Sequence, residues 1–315
     1  MESADLAACG ALLAERHRRH LMVEPLLSVR FCEVGAAVRE VTAAFETTDA
    51  SGAVALRDGV PVGFVLGAPK SSPLWGPNVW VEAAGLAATD GEVMRDLYAM
   101  AAARWVGEGR TAHYVLVPAY DAELVRAWFR LGFGQQHAHG VRPAVRTRAG
   151  GELNGLTVRR AVRADIRALA ELDLELPRHQ GASPTFSSGV VSTLEENLAE
   201  WEESFADDGF ATFVAEVDGD VLGSAIGCAL EKSSTHLSLA RLDNAGFLGF
   251  AAVFPHARGR GAGRALGAAV IDWAVDSGFD SVVTDWRVTN LLASRTWPTL
   301  GFTETFLRLH RTVAT

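Results

Sequence analysis

The sequence predicts an α/β layer fold with a mixed sheet, laid down twice along one chain. Three observations carry this: strand-like and helix-like periodicities alternate, two anchor segments recur at similar offsets, and a stretch rich in Pro, Gly and Asn interrupts the middle.

The anchors come first. VALRDGVPVG from Val54 aligns with VAEVDGDVLG from Val214, an offset of 160, and each reads as strand, Asp-Gly turn, strand. DAELVRAWFRLGF from Asp121 aligns with NLLASRTWPTLGF from Asn290, an offset of 169. In both, an N-cap type residue opens a helix, Trp stands seven places on, and Leu-Gly-Phe closes it. Between the copies, PAVRTRAGGELNG (Pro143 to Gly155) loses hydrophobic periodicity, which divides the chain into domains 1–148 and 152–315.

The second copy reads in order as strand 156–160, helices 164–176 and 190–205, and strands 212–217 and 221–230 flanking the Asp-Gly turn. An apolar strand, 246–254, leads into an Arg/Gly loop. Helix 262–277 follows, its buried face marked by Leu266, Val270, Trp273 and Ala274 at helical spacing. Strand 281–286, helix 290–297 and strand 302–311 complete the domain.

At 315 residues and 49% hydrophobic content, the chain can build two cores. It has no run of about 18 uncharged apolar residues, and its first residues, MESADLAACG, are acidic where a secretory leader is basic. A soluble, cytoplasmic protein that makes no membrane contact is expected. Cys9, Cys32 and Cys228 are odd in number and lack C-x-x-C spacing, so reduced, buried thiols are expected. A net charge of −9 argues against a nucleic-acid partner. Residues 151–315 hold 22 acidic against 14 basic residues, a field that attracts a cationic ligand.

Seven consecutive residues, Arg258 to Arg264, are only Arg, Gly or Ala. The order strand, glycine-rich turn, helix gathers free backbone N–H groups and the positive end of a helix dipole at one spot, an anion site suited to phosphate. Gly259, Gly261 and Gly263 let the backbone approach, while Arg258, Arg260 and Arg264 supply charge-assisted bonds.

Arg258-Gly259-Arg260-Gly261-Ala262-Gly263 resembles the coenzyme A signature of the GNAT superfamily of N-acetyltransferases, Q/R-x-x-G-x-G/A between a strand and a helix. Asn290, Ala293, Trp297, Gly301 and Phe302 match a second motif of that family in the right order, except that Trp297 replaces its usual Tyr. The resemblance covers most of 156–311, and 28–142 only in outline as a degenerate copy. It implies two tandem GNAT-like domains, each a mostly antiparallel sheet flanked by helices.

The resemblance further implies acetyl-CoA as cosubstrate, without a metal, and direct attack of an amine on the thioester. Pantetheine would pair with the backbone near Ala251 to Val253, and the pyrophosphate would lie on residues 258–264, Ala262 included. Trp297 falls at a cofactor-contacting position, and Asn290 either holds a pantetheine carbonyl or caps its own helix. Asp285 is the candidate base, with Asp243 and Glu216 behind it. Since indole gives up no proton, Ser294 or water would protonate the leaving thiolate. The acidic segment Leu194 to Asp208, with Glu195, Glu196, Glu200 and Glu203, is expected near the acceptor mouth, favouring a small cationic amine.

The first copy carries Asp90 and Glu92 where phosphate would sit, so no coenzyme A is expected there. Trp128 and Phe133 read as core, and His137 with His139 lacks a third metal ligand. Two further readings stand beside the small-molecule enzyme: a catalytically lapsed acyl-CoA sensor or scaffold, and transfer to a protein N-terminus or lysine. The sequence leaves oligomeric state open.

Overall fold

The structure, a computed structural model, describes residues 1–72, 75–147, 155–187, 189 and 191–314. Contacts divide the chain into two compact units: 1–139 with 236–243 and 304–315, and 140–235 with 244–303. The boundary expected between 148 and 152 lies outside the described residues, and each unit draws segments from both sides of it.

The first unit opens with helices α1 (Leu6–Val23) and α2 (Val34–Phe45). Strands β1 (Ser51–Arg57) and β2 (Val60–Gly67) pair antiparallel, and β3 (Asn78–Val81) and β4 (Leu86–Ala88) follow. Then come α3 (Gly91–Gly107), β5 (Ala112–Pro118), α4 (Ala122–Arg130) and β6 (Gly134–Pro143), whose last residues count with the second unit. That unit continues with β7 (Thr157–Arg160), α5 (Ile166–Gly181), α6 (Leu194–Ser204), β8 (Phe210–Val217), β9 (Asp220–Ala229) and β10 (Ala245–Val253). It ends with α7 (Ala262–Asp276), β11 (Ser281–Arg287) and α8 (Leu291–Thr299). The final strand, β12 (Thr303–Thr312), pairs antiparallel with β5 from Phe306↔Pro118 to Thr312↔Ala112, inside the first unit.

Sheet order in the first unit is β1-β2-β4 and, separately, β3-β5-β12; in the second it is β11-β10-β9-β8-β7. Antiparallel pairs dominate, with parallel exceptions at β3–β5 and β10–β11. The expected fold class is the observed one.

The internal repeat is visible in backbone geometry. Asp58-Gly59 and Asp218-Gly219 all have positive φ, the primed turn that matches strand twist. Each hairpin carries a register shift at equivalent positions, Ala55/Leu56 and Ala215/Glu216. α4 and α8 close alike: Gly132 and Gly301 have φ of 84° and 87°, and Phe133 and Phe302 N–H donate back to the Trp128 and Trp297 carbonyls.

Two helices depart from their expected bounds. α5 runs past Pro177 to Gly181, its last turn tied down by His179 to Asn290 and by Arg287 Nε donating to Gln180 Oε1 at 3.2 Å. α6 begins at Leu194 rather than 190, because Thr193 and Glu196 form a reciprocal capping box. Among the thiols, Cys9 and Cys228 are buried, whereas Cys32 is half-buried and so departs from expectation. No described helix is long and apolar enough to cross a membrane.

Candidate active site

Strand β10 sets up the site. It pairs parallel with β11 only from Ala245↔Ser281 to Leu248↔Thr284, and the Thr284 hydroxyl closes that ladder by donating to the Leu248 carbonyl at 2.9 Å. Beyond a register shift at Gly249, residues Phe250 to Val253 stay paired with β9 on one side alone. Among the described residues no strand pairs with their other edge, a place where an extended ligand can add as a strand.

The Arg/Gly loop follows. Gly259 (φ 78°) and Gly261 (φ 87°) turn the chain through left-handed backbone, and Gly261 is the N-cap of α7. Arg258 N–H donates to the Pro255 carbonyl and Ala265 N–H to that of Gly261, but among the described residues no acceptor is found for the N–H groups of Gly259 through Arg264. Six successive free amides at the positive end of a helix make a concave anion cradle. A Cβ on Gly263 would meet only Val253 Cγ2, at 3.8 Å. Arg260 and Arg264 are exposed and, among the described residues, have no ion-pair partner. Arg258 is more committed, donating to the Val253 carbonyl at 3.3 Å and standing 4.0 Å from Glu175.

A cleft of about 540 Å³, partly open to solvent, runs from this cradle along the bare edge of β10. It brings together Ala251, Val253, Arg258, Gly263, Asn290 and Trp297 of the residues expected from the sequence. Gly259, Gly261, Ala262 and Arg264 belong to the cradle at its end, and Arg260 borders a separate depression with Asp165 and Asp220. Asp285 and Ser294 are outside the lining: Asp285 accepts from Thr235 Oγ1 at 3.4 Å, and Ser294 Oγ donates to the Asn290 carbonyl at 2.9 Å.

Two ionisable residues of the cleft wall, Glu175 and His179, were not anticipated; Glu175 lies within the expected helix, and His179 comes from the extra reach of α5. Asn290 Oδ1 accepts from Leu292 and Ala293 N–H at 3.2 and 3.3 Å, so it is an N-cap. The same oxygen lies 3.1 Å from His179 Nε2. An oxygen cannot donate, so Nε2 carries the hydrogen and a neutral ring keeps its lone pair on Nδ1. Of the acidic residues expected at an acceptor mouth, Glu196 is spent in the α6 cap, its carboxylate accepting from the Thr193 N–H at 2.7 Å.

The comparisons with known proteins agree with this geometry. The profile described as the acetyltransferase (GNAT) family matches residues 176–302. An aminoglycoside N(6')-acetyltransferase type 1 of Stenotrophomonas maltophilia is 31% identical over 150 residues, covering 47% of this chain and 87% of that protein. The chain belongs to the acetyltransferase (GNAT) family. The GCN5-related N-acetyltransferase of Sphaerobacter thermophilus superimposes with a TM-score of 0.61 at 17% identity, over 100% of this chain and 95% of that one, a likeness of fold. A tandem GNAT protein from the clavulanic acid biosynthesis pathway covers 100% of this chain and 96% of its own at 14% identity, with a TM-score of 0.49. The N-acetyltransferase class expected from the sequence therefore stands, and the GNAT profile lies on the half of the chain that holds the cleft.

Within the first unit, the equivalent helix start is filled from inside. Asp90 caps α3 by accepting from Val93 N–H at 2.9 Å, which holds its carboxyl below the usual range. Gly91 N–H donates to Glu123 Oε1 at 3.1 Å. Trp128 is fully buried and Phe133 nearly so, both in the core.

Proposed function

We propose that this GNAT protein transfers an acetyl group from acetyl-CoA to a small cationic amine. The supporting observation is the run of free amides from Gly259 to Arg264 at the end of a one-sided strand edge. A diphosphate would accept from the cradle and from Arg260 and Arg264, with Arg258 exchanging Glu175 for phosphate. The pantetheine arm would add along Ala251 to Val253 beside Trp297, placing the thioester against the free N–H groups of that edge. The cleft residues fit acetyl-CoA as cosubstrate; the acetylthioester supplies the acyl group.

An ammonium must lose a proton before it attacks. His179 Nδ1, oriented by the Asn290 cap, takes that proton directly or through water, and Glu175 beside it offsets the charge that forms. The nitrogen then bonds to the acetyl carbon and gives its second proton to water, the C–S bond breaks, and the pair leaves on sulfur as thiolate. Trp297 has no acidic O–H to give, so the thiolate takes its proton from water. That substitution favours a second reading, an acyl-CoA sensor in which chemistry has lapsed.

Calorimetric titration with acetyl-CoA, followed by thiol release across a panel of amines, tests both. Binding that Arg258→Ala with Gly261→Val abolishes, together with turnover on some amine, is the expected result. Binding without turnover on any amine transfers the case to the sensor, and no binding ends both.

A further inference from the structure

In each unit an arginine closes the same strand edge, with a different grip. Leu86 pairs with Val65 and Ala251 with Ala225, and Val65 and Ala225 are 160 residues apart like the hairpin anchors, so β4 of the first unit stands where Ala251 to Val253 stand in the second. Arg16 of α1 donates to the Leu86 carbonyl at 2.5 Å and to the Ala83 carbonyl at 2.7 Å, and its side chain is fully buried. That slot is shut by the chain itself. In the second unit Arg258 bonds the Val253 carbonyl through Nε at only 3.3 Å, and its Nη2 stands 4.0 Å from Glu175 Oε2. Its side chain is 29% exposed, so this arginine can be drawn away.

Glu175 is where that withdrawal is felt. Its Oε1 accepts from Arg178 at 2.9 Å, a partner on its own helix, whereas Oε2 is the oxygen turned to Arg258. The carboxylate is mostly buried, at 15% exposure, so water replaces a lost cation poorly. His179 lies four residues on, on the same face of α5, and both side chains line the cleft. Among the described residues, that lining holds no charged side chain from β10, α7 or α8, and Arg258 of the loop is its one guanidinium. Arg178 behind Glu175, and Arg287 bonded to Gln180, are the other charges at this end of α5. While Arg258 is in place, its charge and that of Glu175 largely cancel at the imidazole.

The geometry points to Glu175 as a positioning residue that couples the donor to the base: a diphosphate that takes Arg258 leaves Glu175 Oε2 to His179, and the imidazole becomes a strong base only once the coenzyme is seated. The inference rests on the acetyl-transfer reading, both for the diphosphate and for His179 as proton acceptor. No covalent bond changes in this step. Glu175 loses one cation, the guanidinium, and gains another when His179 takes the proton of the amine. The same movement clears the Val253 carbonyl, which Arg258 covers in the empty enzyme and which the pantetheine arm needs. Arg16 shows the alternative, since an arginine fixed by two short bonds leaves its edge closed for good.

The coupling is read on His179 itself, with a ligand that carries the diphosphate and lacks the pantetheine, adenosine 3'-phosphate 5'-diphosphate. In protein labelled with 13C-histidine, the His179 signal is assigned by its loss in His179→Gln and followed at pH 7 as the nucleotide is added. It should travel toward the position it takes in acid and saturate with the nucleotide, and Glu175→Gln should cut that travel to less than about half. The same variant should bind the nucleotide about two- to fivefold tighter, since Arg258 no longer leaves a carboxylate. Its kcat at neutral pH should nonetheless fall about tenfold on any amine the parent acetylates, a split that loss of a merely structural ion pair would not give. Nucleotide that binds while His179 stays put, or that moves it equally in Glu175→Gln, overturns the coupling and leaves acetyl transfer standing. Nucleotide that does not bind removes the acetyl-transfer reading, and the coupling falls with it.

Discussion

Two helix starts in this molecule descend from one pattern and are put to opposite uses. At α3, Asp90 and Glu123 accept from the amides that open the helix, so the positive end is neutralised by the protein itself. At α7, glycine stands at the N-cap and six amides face outward beside two uncommitted arginines. The difference teaches that a GNAT-type cradle is a vacancy as much as a motif. What distinguishes the halves is the absence of an internal anion.

The sharpest way to break that contrast is to give α7 the cap of α3. Gly261→Asp places a carboxylate at the cradle, and coenzyme A affinity should fall on the order of 100-fold in a calorimetric titration, with the fold retained by circular dichroism. Affinity within a few-fold of the parent would show that the amides do not hold the diphosphate. Next in size is His179→Ala, for which kcat should drop about 100-fold while coenzyme A affinity holds, and Asp285→Asn should be the milder change. The reverse order would return the base to β11.

The caps of the repeated helices offer a subtler comparison. Asp121 and Asn290 both accept from backbone N–H groups of the first turn. Each changed to Ala should cost about 1 kcal/mol in denaturant unfolding. Only Asn290→Ala should also lower kcat, because it alone orients an imidazole in the cleft.

The smallest effect concerns pH. Asp173 is held protonated up to about 6 by burial and Glu200, against the opposing Trp201 N–H, with Asp207 and Lys232 as the other charges in the depression between α5, α6 and the sheet. An unfolded Asp ionises near 3.9, so the folded chain binds the extra proton between about 4 and 6, and stability falls as pH rises through that window. Asp173→Asn removes the penalty. The variant should melt higher than the parent at pH 8, by on the order of 1 kcal/mol after solvent screening, and show no gain at pH 4. Equal melting of the two proteins at pH 8 would contradict the burial of that charge.

Much of this was legible in the sequence for local reasons. Asp-Gly turns, Leu-Gly-Phe helix ends and the glycine spacing of 259–263 act within a few residues, and the structure repeats the first two in both halves. Of the six cleft residues expected, Arg258, Gly263, Asn290 and Trp297 lie in one of the two motifs, and Ala251 and Val253 were placed through the strand that leads into the first of them. His179 was missed because its place depends on α5 continuing through Pro177, where the tertiary ties at Gln180 and His179 hold the last turn, and Glu175 because nothing in a helix's own periodicity says which wall it will line. The start of α6 was readable in principle from Thr193-x-x-Glu196. The placement of β12 beside β5 was not, since a strand's alternation is the same whichever sheet receives it.

The central claim is tested most directly at the amides themselves. With 15N-glycine protein, the signals of Gly259, Gly261 and Gly263 are followed as coenzyme A is added. The three should move together and saturate at the calorimetric dissociation constant, while Gly91 in the first unit stays still. Coenzyme A that binds and leaves those three unmoved, or that moves Gly91 as well, would contradict it.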